Sequence, residues 1–207
     1  MTMKIFLASV FLTLAACSAI PMENPPPGAP SADWRKAATA KDRGRLRDWR
    51  TAFLRGLDQA RRAGHVGEIA REGALLVPDA AIGPVPIPNG DYKCRATKLG
   101  AKSKGLLDYI AYPAFNCRIA QAGLVQSFTK LSGSQRQVGI IYPADPIRQV
   151  LLGSLVLGDE ARAMQYGTDP DRDLAGWVER VGPQRWRLIL PYPQYESIID
   201  VVELVPA

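Results

Sequence analysis

Hydrophobic positions change their period once along this chain. Between residues 33 and 63 they recur as on a helix: Leu46, Trp49, Phe53, Leu57 and Ala60 follow one another at spacings of 3, 4, 4 and 3, which draws one apolar stripe. Gly64 after Arg61-Arg62 reads as a helix stop, with cations near the negative end of the helix dipole. A shorter helix is predicted around Val66–Glu72, after which Pro78, Pro84, Pro86 and Pro88 end helical structure and mark a boundary. From Asp91 onward, short runs rich in Val, Ile, Tyr, Trp and Leu alternate with Gly, Pro, Asn and Asp, the texture of strands and turns. Strands are predicted near 92–99, 109–112, 115–119, 126–131, 137–142, 149–157, 175–181, 186–190 and 198–205. The clearest hairpin runs from Trp177 through the turn Gly182-Pro183-Gln184 to Leu190. No helical stretch separates these runs, so the fold class is mainly β with an N-terminal helical segment, and an antiparallel meander is preferred over a parallel sheet. Eight or nine strands in about 117 residues suit a closed up-and-down barrel of the lipocalin-like (calycin) kind, because closure removes exposed edges. A β-sandwich is the alternative. Residues 159–173 form the longest interruption, read as a loop or short helix.

The first residues follow a different logic. Lys4 supplies a positive start, residues 5–14 an apolar run, and Leu14-Ala15-Ala16-Cys17 a small-residue exit, so residues 1–17 read as a signal peptide. The run is about half the length that a bilayer-spanning helix needs. Leu14 to Cys17 resembles the lipobox of bacterial lipoproteins, which implies acylation of Cys17, cleavage before it, and durable membrane attachment by several acyl chains. Ser18 is compatible with transport to the outer membrane. The expected location is therefore the bacterial envelope, as an outer-membrane lipoprotein facing the periplasm. Residues 18–32 hold five prolines between Pro21 and Pro30 and are expected to form an extended tether. Residues 33–78 then make a basic amphipathic helical segment packed on the barrel, and 88–207 the antiparallel β domain.

Setting Cys17 aside leaves Cys94 and Cys117, which in an exported chain are expected to form a disulfide. Pairing directly across a hairpin would centre it near Gly105, closing about 24 residues and contributing roughly 3 kcal/mol in the chain-entropy model. The net charge of +6 is unevenly placed, since residues 33–63 carry ten basic and four acidic side chains while 64–207 carry 15 of each. Export makes nucleic acid an unsuitable partner for that charge. The cationic helix suits packing on the barrel through its apolar stripe, with docking on anionic lipid, a cell-wall polymer or an envelope protein as the second use.

Catalytic signatures are thin. His65 is the single histidine in the chain, which leaves a histidine triad or a multi-histidine zinc site short of parts. Asp169, Asp171 and Asp173 alternate like the start of a calcium loop, but Leu174 and Arg180 stand where that loop needs Gly and Glu. Nothing in the spacing aligns any two of Glu160, Glu179, Glu196 and Asp200, and glycine-rich phosphate-binding fingerprints are absent. No catalytic residue, metal or cofactor is assigned, and the protein is expected not to be an enzyme. Gly133-Ser134-Gln135-Arg136 reads as a hairpin turn, with Gln135 and Arg136 as candidates to reach a polar ligand at a barrel mouth. Tyr92, Tyr109, Tyr112, Phe115, Phe128, Trp177 and Trp186 either line a cavity or fill the core. Among them Tyr92, Trp177 and Trp186 are the expected cavity walls, and Arg187 joins Arg136 as a candidate for holding a polar head.

Several stretches carry a family resemblance. Asp42-Arg43-Gly44-Arg45-Leu46-Arg47-Asp48-Trp49-Arg50, Tyr92-Lys93-Cys94-Arg95, Lys98-Leu99-Gly100, Phe128 to Arg136, Glu179-Arg180-Val181-Gly182, Arg185-Trp186-Arg187-Leu188 and Glu196 to Pro206 resemble an uncharacterised domain-of-unknown-function family of Gram-negative bacterial lipoproteins. The resemblance implies secretion and one continuous domain, and brings no catalytic residues. The expected function is a lipid-anchored binding module holding a small apolar or amphiphilic ligand in a β-barrel. An envelope assembly factor working through its basic helix is the alternative.

Overall fold

The computed structural model describes residues 32–83, 86–158 and 160–207, so the signal segment with Cys17 and nearly all of the proline-rich tether lie outside the described residues. Within them, nine strands form one antiparallel sheet: β1 (Gly90–Ala101), β2 (Tyr109–Ala111), β3 (Phe115–Ala122), β4 (Val125–Lys130), β5 (Gln135–Asp145), β6 (Arg148–Leu157), β7 (Asp173–Gly182), β8 (Arg185–Pro191) and β9 (Ser197–Pro206). Each strand from β3 to β9 pairs with the next, and β9 returns to β1 along its length, from Tyr92↔Pro206 to Ala101↔Ser197. The result is a closed eight-stranded up-and-down barrel, which sets aside the sandwich. β2 is an extra strand. It shares one edge of β1 with β3, pairing Leu99↔Tyr109 while β3 takes Cys94↔Phe115. Pro113 has no N–H to donate and sits at the break between them.

Alternation along the strands divides the barrel wall. Tyr92, Cys94, Phe128, Val178, Leu188 and Val202 face inwards and form the lumen cluster. β3 shows the half-exposed pattern of a strand with one face in water, whereas β6 and β8 are buried on both faces. The helices explain the difference. α3 (Trp49–Arg62) lays Trp49, Phe53, Leu57 and Ala60 on the outward side chains Leu99, Ile189, Ile199 and Val201. Fully buried side chains such as Phe53 and Leu57 each contribute roughly 1.5–3 kcal/mol. Gly56 sits where α3 crosses the wall, and a Cβ there would lie 2.8 Å from the Ile199 side chain. α1 (Trp34–Ala37) and α2 (Ala40–Arg47) cover Val150, Leu152 and Ala175. α4 (Val66–Glu72) and a 3₁₀ turn (Gly73–Leu76) complete the layer.

Two expectations need adjustment. The helical stripe is not continuous, because Asp48 (φ −90°, ψ 11°) separates α2 from α3, so Leu46 joins a different outer cluster from Trp49 to Ala60. Cys94 and Cys117 are bonded, with Cα atoms 6.1 Å apart, but they are not directly opposite. Cys94 faces Phe115 and Cys117 faces Tyr92, so the bridge runs diagonally between two inward positions of β1 and β3.

One end of the barrel is corked by the segment that precedes β1. Ile87 is fully buried in the lumen cluster. Its N–H donates to Gln149 Oε1 (3.2 Å), its carbonyl accepts from Gln126 Nε2 (2.8 Å), and the Tyr92 hydroxyl donates to the Pro88 carbonyl at 2.7 Å. Inward Gln126 and Gln149 thereby satisfy a buried backbone that the ladder does not pair.

Candidate functional site

The opposite end of the barrel is open. A cavity of about 340 Å³ lies among Ala96 and Lys98 on β1, Phe115 on β3, Lys130 on β4, Gln137 on β5 and Asp200 on β9, with Tyr112 and Ser134 among its other walls. Ala96 is the first inward β1 position that lines it. The next one along, Cys94, is buried, so the space is a cup at the mouth and not a channel through the barrel.

Strand register builds the polar side of this cup. Lys98 and Asp200 are partners across β1 and β9, and the ammonium donates to Asp200 Oδ2 at 2.7 Å. Glu196 Oε2 is 3.4 Å from the same nitrogen, and the Ser197 hydroxyl donates to the other Asp200 oxygen. Burial pulls the Lys98 ammonium down, but Asp200 and then Glu196 outweigh it and hold the group above its ordinary value. Lys130 is different. It stands opposite Cys117, its Nζ is 4.3 Å from the Phe115 ring centroid, and it has no carboxylate partner among the described residues. Burial, and then the Lys98 charge, push it below the usual lysine range. Gln137 Oε1 is buried beside them and accepts no hydrogen bond from the chain.

The residues expected from sequence to hold a ligand are distributed around the barrel. Gln135 lines the cup. Tyr92 and Trp186 face the lumen but pack edge to face, 6.2 Å apart, near the corked end. Trp177 and Arg187 face outwards, because each is one residue out of step with inward Val178 and Leu188. Trp177 Nε1 donates to the Leu46 carbonyl at 2.9 Å and thereby anchors α2. Arg187 is sealed beneath the helical layer, pairs with Glu179, and donates to the carbonyls of Leu75 (2.9 Å), Val77 (2.7 Å) and Pro78 (2.7 Å). Arg136 also points away from the lumen and clamps the carbonyls of Gly158 and Glu160. Arg136 and Arg187 are therefore fasteners of loops.

Lys98, Lys130 and Gln137 were not singled out from sequence. Their signal is a polar side chain at an inward position of a strand, which becomes visible only when the register is known.

The carboxylates do not gather in one cleft. Glu179 is enclosed with Arg187 and Arg148 outside the wall, and Glu160 pairs with Arg172, while Glu196 and Asp200 share Lys98. Among the described residues, no three His, Cys, Asp or Glu side chains are grouped to hold a metal ion. Asp173 instead accepts the Gly167 N–H at 2.8 Å, and the His65 ring stacks on Tyr109 at 5.3 Å. Four of the ten basic side chains between residues 33 and 63 pair with carboxylates. Arg45 is buried against Asp42, which also accepts the Tyr166 hydroxyl at 2.5 Å. Arg47, Arg50 and Arg62 pair with Asp48, Asp79 and Asp58. Arg55 and Arg61 stay exposed without carboxylate partners among the described residues, beside the half-exposed Leu54.

A family model described as a domain of unknown function, DUF4893, matches residues 34–204. The chain belongs to the DUF4893 family. No curated protein and no solved structure matches it. The DUF4893 span starts on the first residue of α1 and ends within β9, so it takes in the helical layer and the whole circuit of barrel strands. That agrees with the packing, in which α1 to α3 cover the outer side chains of the barrel wall.

Proposed function

We propose that this DUF4893 domain is a non-catalytic binding module that seats one small amphiphilic molecule in the cup at its barrel mouth. The observation that carries this reading is the asymmetry of the lumen: Ile87 and a packed core close one end, and a cavity of about 340 Å³ with both apolar and charged walls opens at the other. An apolar cavity of about 150 Å³ takes one benzene ring. By that measure a cup of about 340 Å³ suits a guest of roughly a dozen non-hydrogen atoms. A whole diacyl lipid is too large. The non-catalytic reading is supported by the ion pairs that hold the carboxylates: Glu179 is taken by Arg187 and Arg148, Glu160 by Arg172, and Glu196 and Asp200 together by Lys98.

The same proposal places the module in the bacterial envelope. Cys17 directly follows the small residues at the end of an apolar run, as acylation requires, and the proline-rich stretch after it suits a tether. Arg45 is buried, and Lys36, Arg55 and Arg61 are exposed with no carboxylate partner among the described residues, so docking through the helical segment would draw first on these three.

The test is untargeted mass spectrometry of small molecules extracted from the detergent-solubilised full-length lipoprotein, beside an Ala96→Trp variant that fills the cup. A species enriched on the wild type and lost from the variant is the expected result. Equal recovery from both, or from neither, overturns the reading.

A further inference from the structure

We infer that the cup recognises its guest by an anionic head group, a carboxylate or phosphate, that pairs with Lys130 while the apolar part lies along Phe115 and Tyr112. This deepens the binding reading above and rests on it. Two cations reach the cup, and they are not equivalent. Lys98 is neutralised by Asp200 at 2.7 Å and Glu196 at 3.4 Å, so its charge is already answered within the protein. Lys130 faces only the π-cloud of Phe115, 4.3 Å away. A cation–π contact stabilises an ammonium far less than a carboxylate does inside a partly desolvated site.

The rest of the cup favours the same class of guest. Lys130, Ser132, Gly133 and Ser134 all border the same cavity, so the ammonium and the turn after β4 face one open space. Ser132 and Ser134 line this side of the cavity, and hydroxyl donors suit anion oxygens. Gln137 adds a buried amide oxygen that accepts nothing from the chain, which suits a guest bearing a hydroxyl or N–H near its head. Ala96, Phe115 and Tyr112 supply the apolar wall. The mixture of one unanswered cation, short polar donors and a single aromatic wall matches a short amphiphilic anion better than a neutral hydrocarbon.

Isothermal titration of the purified mature protein with octanoate, octyl phosphate and octanol tests this. All three probes share one chain and fit the cup by size. Octanoate or octyl phosphate should bind at least tenfold more tightly than octanol, and the preferred head is the one with the larger ratio. Lys130→Gln should erase the preference, bringing the anion down to the octanol affinity, and Lys130→Arg should keep it. Equal binding of all three probes, abolished by Ala96→Trp, overturns the anion assignment and leaves the cup reading standing. Binding that survives Ala96→Trp, or no binding of any probe, overturns both. The comparison of probes on the wild type needs no variant, so it stands even if Lys130→Gln fails to fold.

Discussion

Arg187→Met is the sharpest test of how the helical layer is held on the barrel. Arg187 is fully buried outside the wall, and its guanidinium joins two groups, one on the wall and one in the helical layer, beside the packing of Leu75 and Leu76 on Ile189. One is Glu179 on β7, at 2.6 Å, and the other is the chain just after α4, through the carbonyls of Ala74, Leu75, Val77 and Pro78. Its ring-side neighbour is Phe53 of α3, whose centroid lies 5.3 Å from the guanidinium carbon. Methionine keeps much of the volume and removes all the donors. Breaking one partner of a buried ion pair costs about 3–5 kcal/mol. Glu179 would keep Arg148 at 2.7 Å, which places the ion-pair loss at the lower end of that range. The carbonyls of Val77 and Pro78 are near enough to solvent to rehydrate, but the buried Leu75 carbonyl is not, and an orphaned buried acceptor adds about 1–3 kcal/mol. The expected total is about 4 kcal/mol, a large fraction of the 5–15 kcal/mol that holds a typical domain together. At roughly 2–4 °C per kcal/mol for a protein of this size, Tm should fall by about 8–16 °C. Thermal and urea unfolding followed by circular dichroism would read it, with Arg187→Lys falling between the two because it keeps the charge but not the five-donor fork. A fall of less than about 3 °C for Arg187→Met would refute the view that this side chain fastens the layer.

Four further outcomes follow from the geometry. Gly153→Ala should destabilise by about 2 kcal/mol or more, or abolish folding, because its Cβ would meet the Val138 carbonyl of the neighbouring strand; Gly44→Ala, where the nearest atom to the new Cβ is the Arg47 guanidinium at 3.9 Å, is the control, and urea midpoints compare them. Cys94 and Cys117 should resist alkylation in denatured, non-reduced protein, and Cys94→Ala with Cys117→Ala should lose about 3 kcal/mol; labelling of either thiol without reductant would contradict the bridge. A hydrogen bond from Arg95 holds the Glu72 carboxyl below its ordinary value, so this stabilisation is present above the unfolded pKa near 4.3 and is lost as pH falls through the folded one; Glu72→Gln should flatten the acid limb of urea midpoints measured between about pH 6 and 3. Reversing Arg55 and Arg61 to Glu should leave Tm within about 2 °C and probe binding unchanged while weakening association with anionic vesicles, and unchanged vesicle association would remove a docking role from that face; reversal of Arg45 would instead unfold the region, since it is buried on Asp42.

Much of the barrel was legible because hydrophobic alternation is a local property. All nine strands formed within three residues of their expected ends, and the hairpin around Pro183 appeared as its turn residues require. The candidate site was much less legible. Gln135 was placed at the mouth, yet Trp177 and Arg187 were put in the wrong compartment, since type and strand membership do not tell which face a side chain takes. Ile87 looked like part of a proline-rich boundary, and only the fold makes it the cork.

Sequence alone was enough for the contrast between a cationic segment over residues 33–63 and a charge-balanced remainder from residue 64 onward, for the expectation that Cys94 and Cys117 pair, and for the DUF4893 membership that spans both parts. These depend on composition, period and order along the chain, and so they survive without coordinates. Closure of the barrel, the diagonal register of the disulfide, the burial of Arg187 and the contrast between an answered Lys98 and an unanswered Lys130 were decided only in three dimensions. Each depends on which residues from distant parts of the chain stand opposite one another. A shift of one residue in register exchanges the inside of a barrel for its outside.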